Sequence, residues 1–353
     1  MLETPLQAIE EQLRQTIVAA SAAGTPLRLR GGGSKDWYGQ ALAGEPFDTH
    51  VYHGIVDYEP TELVITARCG TPLIEIESAL AQHGQMLAFE PPRFGIGSTI
   101  GGVVAGAMSG PRRASAGAVR DFVLGAVLMD GQGEALRFGG QVMKNVAGYD
   151  VSRMLAGSLG TLGLITEVSL KVLPLPLREA SLRLEMSEID ALRKLNLWAG
   201  QPLPISASCW QQGVLSLRLS GADAAVKAAL LKLGGEQFDG AAFWDSLRDQ
   251  THAYFGGGDL WRLSVPSAAS ALILKGEQLI EWGGAQRWLK SDGANAAGIR
   301  SSVAAAGGHA TLYRGADKSV GAFHPLAPAL MKIHERMKQA FDPAGIFNPG
   351  RMY

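Results

Sequence analysis

The sequence predicts an α+β protein with a layered N-terminal domain and a smaller α+β domain after it. Strand-like runs alternate with helical patterns and glycine-rich turns through the first half of the chain. The prolines within Pro174–Leu177 mark a break in composition, after which the glycine clusters stop. A helical pattern recurs close to the C terminus. We therefore expect three segments, 1–175, 176–323 and 324–353.

The elements of the first half follow from the spacing of apolar residues. Apolar side chains recur at three- and four-residue steps across Leu6–Ile17, which predicts an amphipathic helix. Thr71 followed by Pro72 predicts a second helix that Thr71 caps and Pro72 begins. Asp130-Gly131 favours the tight turn of a hairpin. The predicted strands are Leu27–Leu29, Thr61–Cys69, Val123–Met129, Glu134–Phe138 and Gly163–Leu173.

The second half alternates shorter strands and helices, as a small α+β layer would. The predicted strands are Ala180–Leu184, Val214–Leu219, Trp261–Val265 and Trp288–Lys290. The predicted helices are Ser187–Trp198, Ala222–Leu233, Ile299–Ala306 and Pro328–Ala340.

Composition excludes several classes of function. A net charge of −1 gives no electrostatic basis for binding nucleic acid. Cys69 and Cys209 lie too far apart in sequence for a metal or iron–sulfur motif and are expected as free thiols. His50 and His53 have metal-like spacing but no further ligands, so no metal site is predicted. The N-terminal sequence is not a signal peptide, and no run of eighteen apolar residues occurs.

Three glycine clusters lie in the first half, at Arg30–Ser34, Gly95–Gly117 and Gly157–Gly163. Glycine lets the backbone come close to a ligand, and its exposed amides bind anions such as phosphate. Three such clusters predict one long phosphate-bearing ligand, a dinucleotide. The alternative is a set of tight turns in a chain with 45 glycines. Neither the P-loop nor the Rossmann spacing is present, since Gly95-Ile96-Gly97 lacks the third glycine at the required distance.

The order of these motifs is similar to that of a known FAD-binding family. The segments are Arg30-Gly31-Gly32-Gly33-Ser34, Pro91-Pro92 with Gly97-Ser98-Thr99-Ile100-Gly101-Gly102, Ala118-Val119-Arg120-Asp121, and Gly157 to Thr166. Together they resemble the FAD-binding domain of the vanillyl-alcohol oxidase (p-cresol methylhydroxylase) superfamily. Residues 341–351 resemble its C-terminal return segment. Within the superfamily, the resemblance is strongest to the FAD-binding subunits of glycolate oxidase complexes.

The resemblance implies a two-part FAD-binding domain of the p-cresol methylhydroxylase type, formed by 1–175 and 324–353, with a smaller α+β cap. Ser34 replaces the histidine of covalently flavinylated relatives, and no cysteine lies near Gly95–Gly97, so FAD is expected to be non-covalent. Leu159 stands where the family usually has glutamate. The implied cofactor-binding residues are Arg30, Gly31, Gly32, Gly33, Ser34, Pro92, Gly97, Ser98, Thr99, Gly101, Gly102, Gly117, Val119, Asp121, Gly157, Gly160, Thr161, Gly163, Ile165 and Thr166.

The implied activity is oxidation of glycolate, a small 2-hydroxy acid, to glyoxylate, with electrons passed to an acceptor other than oxygen. The implied partners are a sister FAD subunit and an iron–sulfur subunit. The implied location is the cytoplasm, with contact to the inner face of the membrane only through the complex. Two alternatives stay open. One is a non-catalytic flavoprotein that scaffolds the complex and relays electrons, and the other is a self-sufficient oxidase.

No catalytic residue is assigned by the sequence. Catalytic relatives carry a His-x-Gly-Asp-Gly-Asn-like motif, whereas Gly307–Arg314 lacks its Asp and Asn. His309 together with Arg314 is one candidate for the base and the cation, and His324 is the other candidate. The alternative for each is an ordinary role in the core or on the surface. Lacking the full motif, the chain is expected to oxidise glycolate poorly alone.

Two further segments are ambiguous. Lys144 and Asn145 belong to a stretch that resembles this subfamily and are candidates for a place beside the flavin, or for an ordinary loop. Arg112, Arg113 and Arg120 flank the cofactor motif and also fit a solvated basic turn.

Overall fold

The computed structural model shows an α+β protein built on two antiparallel sheets, one in each half of the chain, and confirms the predicted fold class. It describes residues 5–140, 150–291 and 295–352.

The first sheet has the strand order β3-β4-β8-β6-β7 and lies at the centre of the first half. All seven residues of β6 are buried, because helices and neighbouring strands cover it. The β6–β7 hairpin confirms the prediction from Asp130-Gly131. The elements are α1 (Pro5–Ala23), β1 (Leu27–Arg30), β2 (Glu45–Asp48), β3 (Ile55–Glu59), β4 (Val64–Arg68), α2 (Leu73–Ala81), β5 (Gln85–Met86), α3 (Ile100–Gly106), α4 (Arg113–Ala116), α5 (Val119–Phe122), β6 (Val123–Met129), β7 (Ala135–Gly139), α6 (Val151–Met154), β8 (Leu164–Lys171) and β9 (Leu173–Pro174).

Two local predictions are wrong. The cap of α2 is Pro72 and not Thr71, because the Thr71 hydroxyl instead donates to the carbonyls of Arg68 and Gly54. The glycine-rich stretch is not a loop throughout, since it contains α3. Thr99 caps this short helix, and its hydroxyl accepts a hydrogen bond from the Gly102 amide.

The second half forms an eight-stranded sheet with the order β13-β10-β12-β11-β15-β16-β14-β17. The strands β11 and β15 were not predicted from the sequence, because their ends are polar and their apolar runs are short. The elements are β10 (Arg178–Glu185), α7 (Glu188–Ala199), β11 (Ile205–Gln211), β12 (Val214–Gly221), α8 (Asp223–Leu233), β13 (Glu236–Phe238), α9 (Ala241–Arg248), β14 (Leu260–Ser264), β15 (Glu277–Glu281), β16 (Gln286–Lys290), α10 (Ala296–Ala305), β17 (His309–Arg314) and α11 (Pro328–Phe341).

The chain after α11 packs against the first strand. The Leu27 amide donates to the Ile346 carbonyl at 2.7 Å, and the Asn348 amide donates to the Leu27 carbonyl at 2.9 Å. Phe347 is fully buried beside them. The last residues of the chain thus form part of the first half's core.

An aromatic cluster joins the two halves. Tyr38, from the loop after β1, packs against Tyr313 of β17 with ring centroids 5.4 Å apart. Tyr313 in turn contacts Trp288 of β16 at 4.8 Å. This contact places the face of the second sheet against the loops of the glycine clusters.

Candidate functional site

Two glycine segments meet backbone to backbone beside β1. A Cβ on Gly32 would lie 1.4 Å from the Gly97 carbonyl oxygen, so no other residue fits there. A Cβ on Gly31 would lie 2.3 Å from the Thr99 hydroxyl oxygen. These glycines are therefore required for the two loops to approach each other.

A groove runs along this contact. Among the residues that the structure describes, the backbone amides of Gly31, Gly32, Gly33 and Ser34 have no acceptor. Unpaired amides in successive residues form a nest for an anion such as a diphosphate. The groove is lined by Arg30, Gly31, Gly32, Gly33, Ser34, Lys35, Asp36, Leu42, Thr99, Gly102, Gly106, Leu159, Asn348 and Arg351, with Leu29 and Ala105 at its base.

The groove continues into a smaller, mainly apolar recess. Asn348 holds two of its walls together, since its side chain accepts from the Leu29 amide at 2.9 Å and donates to the Leu159 carbonyl at 2.6 Å. The residues of the recess that lie beyond the groove are Thr49, Cys69, Gly101, Gly160, Gly163, Leu164 and Ile165. An apolar recess next to a phosphate groove suits one ring system of a dinucleotide.

At the other end the groove opens into a pocket of about 750 Å³ between the two halves of the molecule. Leu159 lines the recess, the groove and this pocket alike. Arg262 of β14 lies opposite Thr311 of β17 in the sheet, and both line the pocket. The remaining lining includes Tyr38, Gln40, Gly106, Ala107, Gly157, His309, Phe323, His324, Leu330, Met331, His334 and Met352.

The polar groups of this pocket suit a small carboxylate. Arg262 supplies a cation and contacts the Tyr38 hydroxyl at 3.4 Å. Burial, and then the positive charges of Arg262 and His324, lower the pKa of His309 below its usual value. Burial also lowers the pKa of His324, whose Nδ1 accepts from the Ala310 amide at 3.4 Å. Both histidines are therefore neutral at pH 7 and able to accept a proton.

Arg262 was not among the residues predicted from the sequence, where His309 is paired with Arg314 instead. Arg314 does not line the pocket, because its guanidinium donates to Gln250 at 2.6 Å and lies 4.6 Å from the Trp37 ring centroid. Strand alternation was the available signal, since residues two apart on one strand share a face. His309 and Thr311 share the pocket face of β17, and Arg262 lies on the adjacent strand.

The structure brings many of the predicted cofactor residues together. Those lining the recess or groove are Arg30, Gly31, Gly32, Gly33, Ser34, Thr99, Gly101, Gly102, Gly160, Gly163 and Ile165, and Gly157 lines the larger pocket. Gly97 and Ser98 line none of the three, but Gly97 touches Gly32 and the Ser98 hydroxyl accepts from Lys35. The other six also lie outside all three linings and are Pro92, Gly117, Val119, Asp121, Thr161 and Thr166.

The structure also resolves part of the ambiguity in the flanking arginines. Arg112 is buried and bonded to Glu90 and Glu179, so it is not part of a solvated turn. Arg113 lies 4.4 Å from the Trp282 ring centroid. The Arg120 side chain is 70% exposed, as the solvated alternative predicts. Lys144 and Asn145 lie outside the described residues.

Comparison with known proteins agrees with this geometry. Residues 8–139 match the family described as an FAD binding domain. The chain is 50% identical to glycolate oxidase subunit GlcE of Escherichia coli over 98% of this chain and 97% of that protein. It is 34% identical to glycolate oxidase subunit GlcD of Bacillus subtilis over 39% of this chain and 29% of that protein. An alkyldihydroxyacetonephosphate synthase structure has the same fold, with a TM-score of 0.67 at 15% identity, over 96% of this chain and 74% of that one.

The fold, the amide nest and the domain match define an FAD-binding protein of the p-cresol methylhydroxylase type. The chain belongs to the family of glycolate oxidase subunit GlcE. Its residues fit the cofactor, because a groove with unpaired amides and basic side chains joins an apolar recess to a larger pocket. In the described part of the chain, no helix is long and apolar enough to cross a membrane.

Proposed function

We propose that this chain is the FAD-bearing subunit of a glycolate dehydrogenase complex and that the large pocket binds the 2-hydroxy acid. The observation that carries the proposal is the continuity of the amide-lined groove with a pocket containing Arg262 and two neutral histidines. The proposed partners are a sister flavin subunit and an iron–sulfur subunit, with the complex acting in the cytoplasm or at the membrane's inner face. The similarity to GlcE supports this reading.

In the proposed reaction, Arg262 binds the substrate carboxylate and fixes its orientation. His309 or His324 accepts the proton of the substrate hydroxyl, because a neutral imidazole near pH 7 is a competent base. Bound FAD supplies an acceptor for the hydride equivalent from C2. The amides of Gly31–Ser34 and the flanking loops hold the cofactor without a covalent bond.

The cofactor half of the proposal is tested by acid precipitation of the purified chain. We expect a yellow supernatant whose absorption spectrum and mass match FAD. Flavin that stays in the pellet would contradict the non-covalent assignment. A purified chain that is colourless and does not bind added FAD would contradict the proposed cofactor site.

The substrate half is tested by titrating the FAD-loaded chain with glycolate and recording the change in the flavin spectrum. We expect Arg262→Met to weaken binding by about tenfold to a hundredfold, the range for a charged hydrogen bond. Arg193→Met is the control, since Arg193 lies exposed on α7. If glycolate leaves the wild-type spectrum unchanged, the scaffold and electron-relay alternative is favoured instead.

A further inference from the structure

Lys35 bridges the two facing glycine loops. It follows the Arg30–Ser34 cluster directly and lines the groove. Its Nζ donates to the Ser98 hydroxyl at 3.0 Å and to the Ser34 hydroxyl at 3.3 Å. Each hydroxyl belongs to a different glycine loop, so the ammonium group lies where the two loops meet.

This ammonium group has no carboxylate partner among the described residues. Asp36 is the acidic residue that lines the groove, and it is bonded to Arg30 at 2.9 Å. The other cation of the groove, Arg351, donates to the backbone carbonyls of Lys35, Asp36 and Gln40. Arg30 and Arg351 thus have partners of their own, whereas the Lys35 ammonium has two hydroxyls and the Phe94 ring, whose centroid lies 5.8 Å from Nζ.

An ammonium group in this position is costly without an anion. Burial lowers the pKa of Lys35 to about 8, although two hydroxyls accept from it. A partly buried cation in a groove that is also lined by unpaired backbone amides is the arrangement expected when the missing partner is an anion.

We propose that the Lys35 ammonium is the counter-ion of the FAD diphosphate, held in position by the hydroxyls of Ser34 and Ser98. Serine hydroxyls keep Nζ extended into the groove, and the amides of Gly31–Ser34 bind the same diphosphate from the backbone side. The inference concerns cofactor retention and does not depend on which substrate the large pocket takes.

The proposal has a pH signature. A diphosphate stabilises the protonated form, so the pKa of Lys35 is higher with FAD bound than without it. FAD affinity is therefore constant well below pH 8 and falls as the pH rises through 8. The other charged groups that line the groove are Arg30, Arg351 and Asp36.

The test measures FAD dissociation constants of the apoprotein between pH 6.5 and 9.5, with no substrate present. At pH 7 we expect Lys35→Met to weaken FAD binding by about tenfold to a hundredfold. Lys35→Arg should keep most of the affinity and lose the decline above pH 8. The control is Lys290→Met, because Lys290 donates to the Gly256 carbonyl on the second sheet, away from the groove.

The melting temperature of the apoprotein separates this role from a structural one. Removing an uncompensated cation should leave the apoprotein of Lys35→Met as stable as the wild type, or more stable. Unchanged FAD affinity in Lys35→Met would overturn the proposal. So would weaker FAD binding that is accompanied by a lower melting temperature of the apoprotein, since that result indicates damage to the loops.

Discussion

Individual glycines decide whether the two cofactor loops can meet. The space beside the Gly32 Cα is filled by the Gly97 carbonyl, and the space beside the Gly101 Cα by Cys69. Both positions therefore require glycine mainly because two segments of the protein touch there. The cofactor groove depends on that contact, because its amides face outward only when the loops are pressed together.

We expect Gly32→Ala to abolish FAD retention and to lower the melting temperature of the purified chain. The added Cβ would overlap the Gly97 carbonyl, and the loop would have to move away. Gly200→Ala is the matched control. Gly200 has a φ of −84°, and a Cβ there would have its nearest neighbour at 3.7 Å. Flavin content and thermal unfolding measure both effects, and full flavin occupancy in Gly32→Ala would contradict the expectation.

A buried carboxyl in β15 makes stability depend on pH. Glu281 accepts from the indole of Trp288 at 2.6 Å and from the Gln286 amide at 3.1 Å. Burial outweighs these bonds and raises its pKa from 4.5 to about 7. The folded state thus holds a proton that the unfolded state releases above pH 4.5.

The stability that protonated Glu281 contributes is fully present below pH 4.5. As the pH rises from 4.5 to 7, the free energy of unfolding falls by about 3 kcal/mol. We expect Glu281→Gln, which cannot ionise, to gain stability relative to wild type between pH 5 and pH 8. Urea denaturation at both pH values measures the difference. An equal free-energy difference between the two proteins at pH 5 and pH 8 would show that Glu281 does not titrate in this range.

Four charged side chains form a network of ion pairs between the first half of the chain and the second sheet. Glu90 precedes the glycine-rich segment and bonds Arg112 at 3.3 Å and Arg218 of β12 at 2.7 Å. Glu179 of β10 bonds Arg112 at 2.5 Å. The two arginine side chains are 9% and 8% exposed, so the network lies in a region of weak solvent screening.

We expect Glu90→Gln to destabilise the chain by about 3 kcal/mol, because it leaves two buried arginines with less than one full counter-charge each. Arg218→Met in the same background should recover part of the loss. The control is Asp223→Asn, which removes an exposed ion pair with Arg178 and should have no measurable effect. Chemical denaturation of the single and double variants measures the coupling, and additive effects would contradict it.

Sequence patterns predicted the helices and strands better than they predicted which of these elements are in contact. The hairpin of β6 and β7 and the helices α1, α7, α8 and α11 depend on local spacing, which the chain shows directly. Local spacing alone does not identify Arg262 or Lys35 as site residues, although strand alternation indicates which face of β14 Arg262 occupies. Arg262 becomes a pocket residue only when β14 pairs with β17, and Lys35 acquires its role only when two loops meet. Such pairings join residues far apart in sequence, so they could not be read from one chain.

The size of the large pocket argues that the isolated chain turns over slowly. Its volume of about 750 Å³ opens to solvent and greatly exceeds a two-carbon acid, even beside a flavin ring. Water in such a site weakens electrostatic interactions, and a loosely held substrate loses orientation. The side chain of Leu330 on α11 lines this pocket and is exposed to solvent.

We expect the isolated FAD-loaded chain to be reduced by glycolate far more slowly than the assembled complex. The Asp and Asn of the relatives' catalytic motif are missing after His309, so Arg262 and the histidines act without that support. Anaerobic mixing with glycolate, followed by flavin absorbance, measures reduction, and a dye assay measures turnover. The same assays on the reconstituted complex are the reference. Flavin bleaching and dye reduction by the isolated chain at the rate of the complex would contradict this expectation, because the chain would then be a complete enzyme and its partners would serve only in electron transfer.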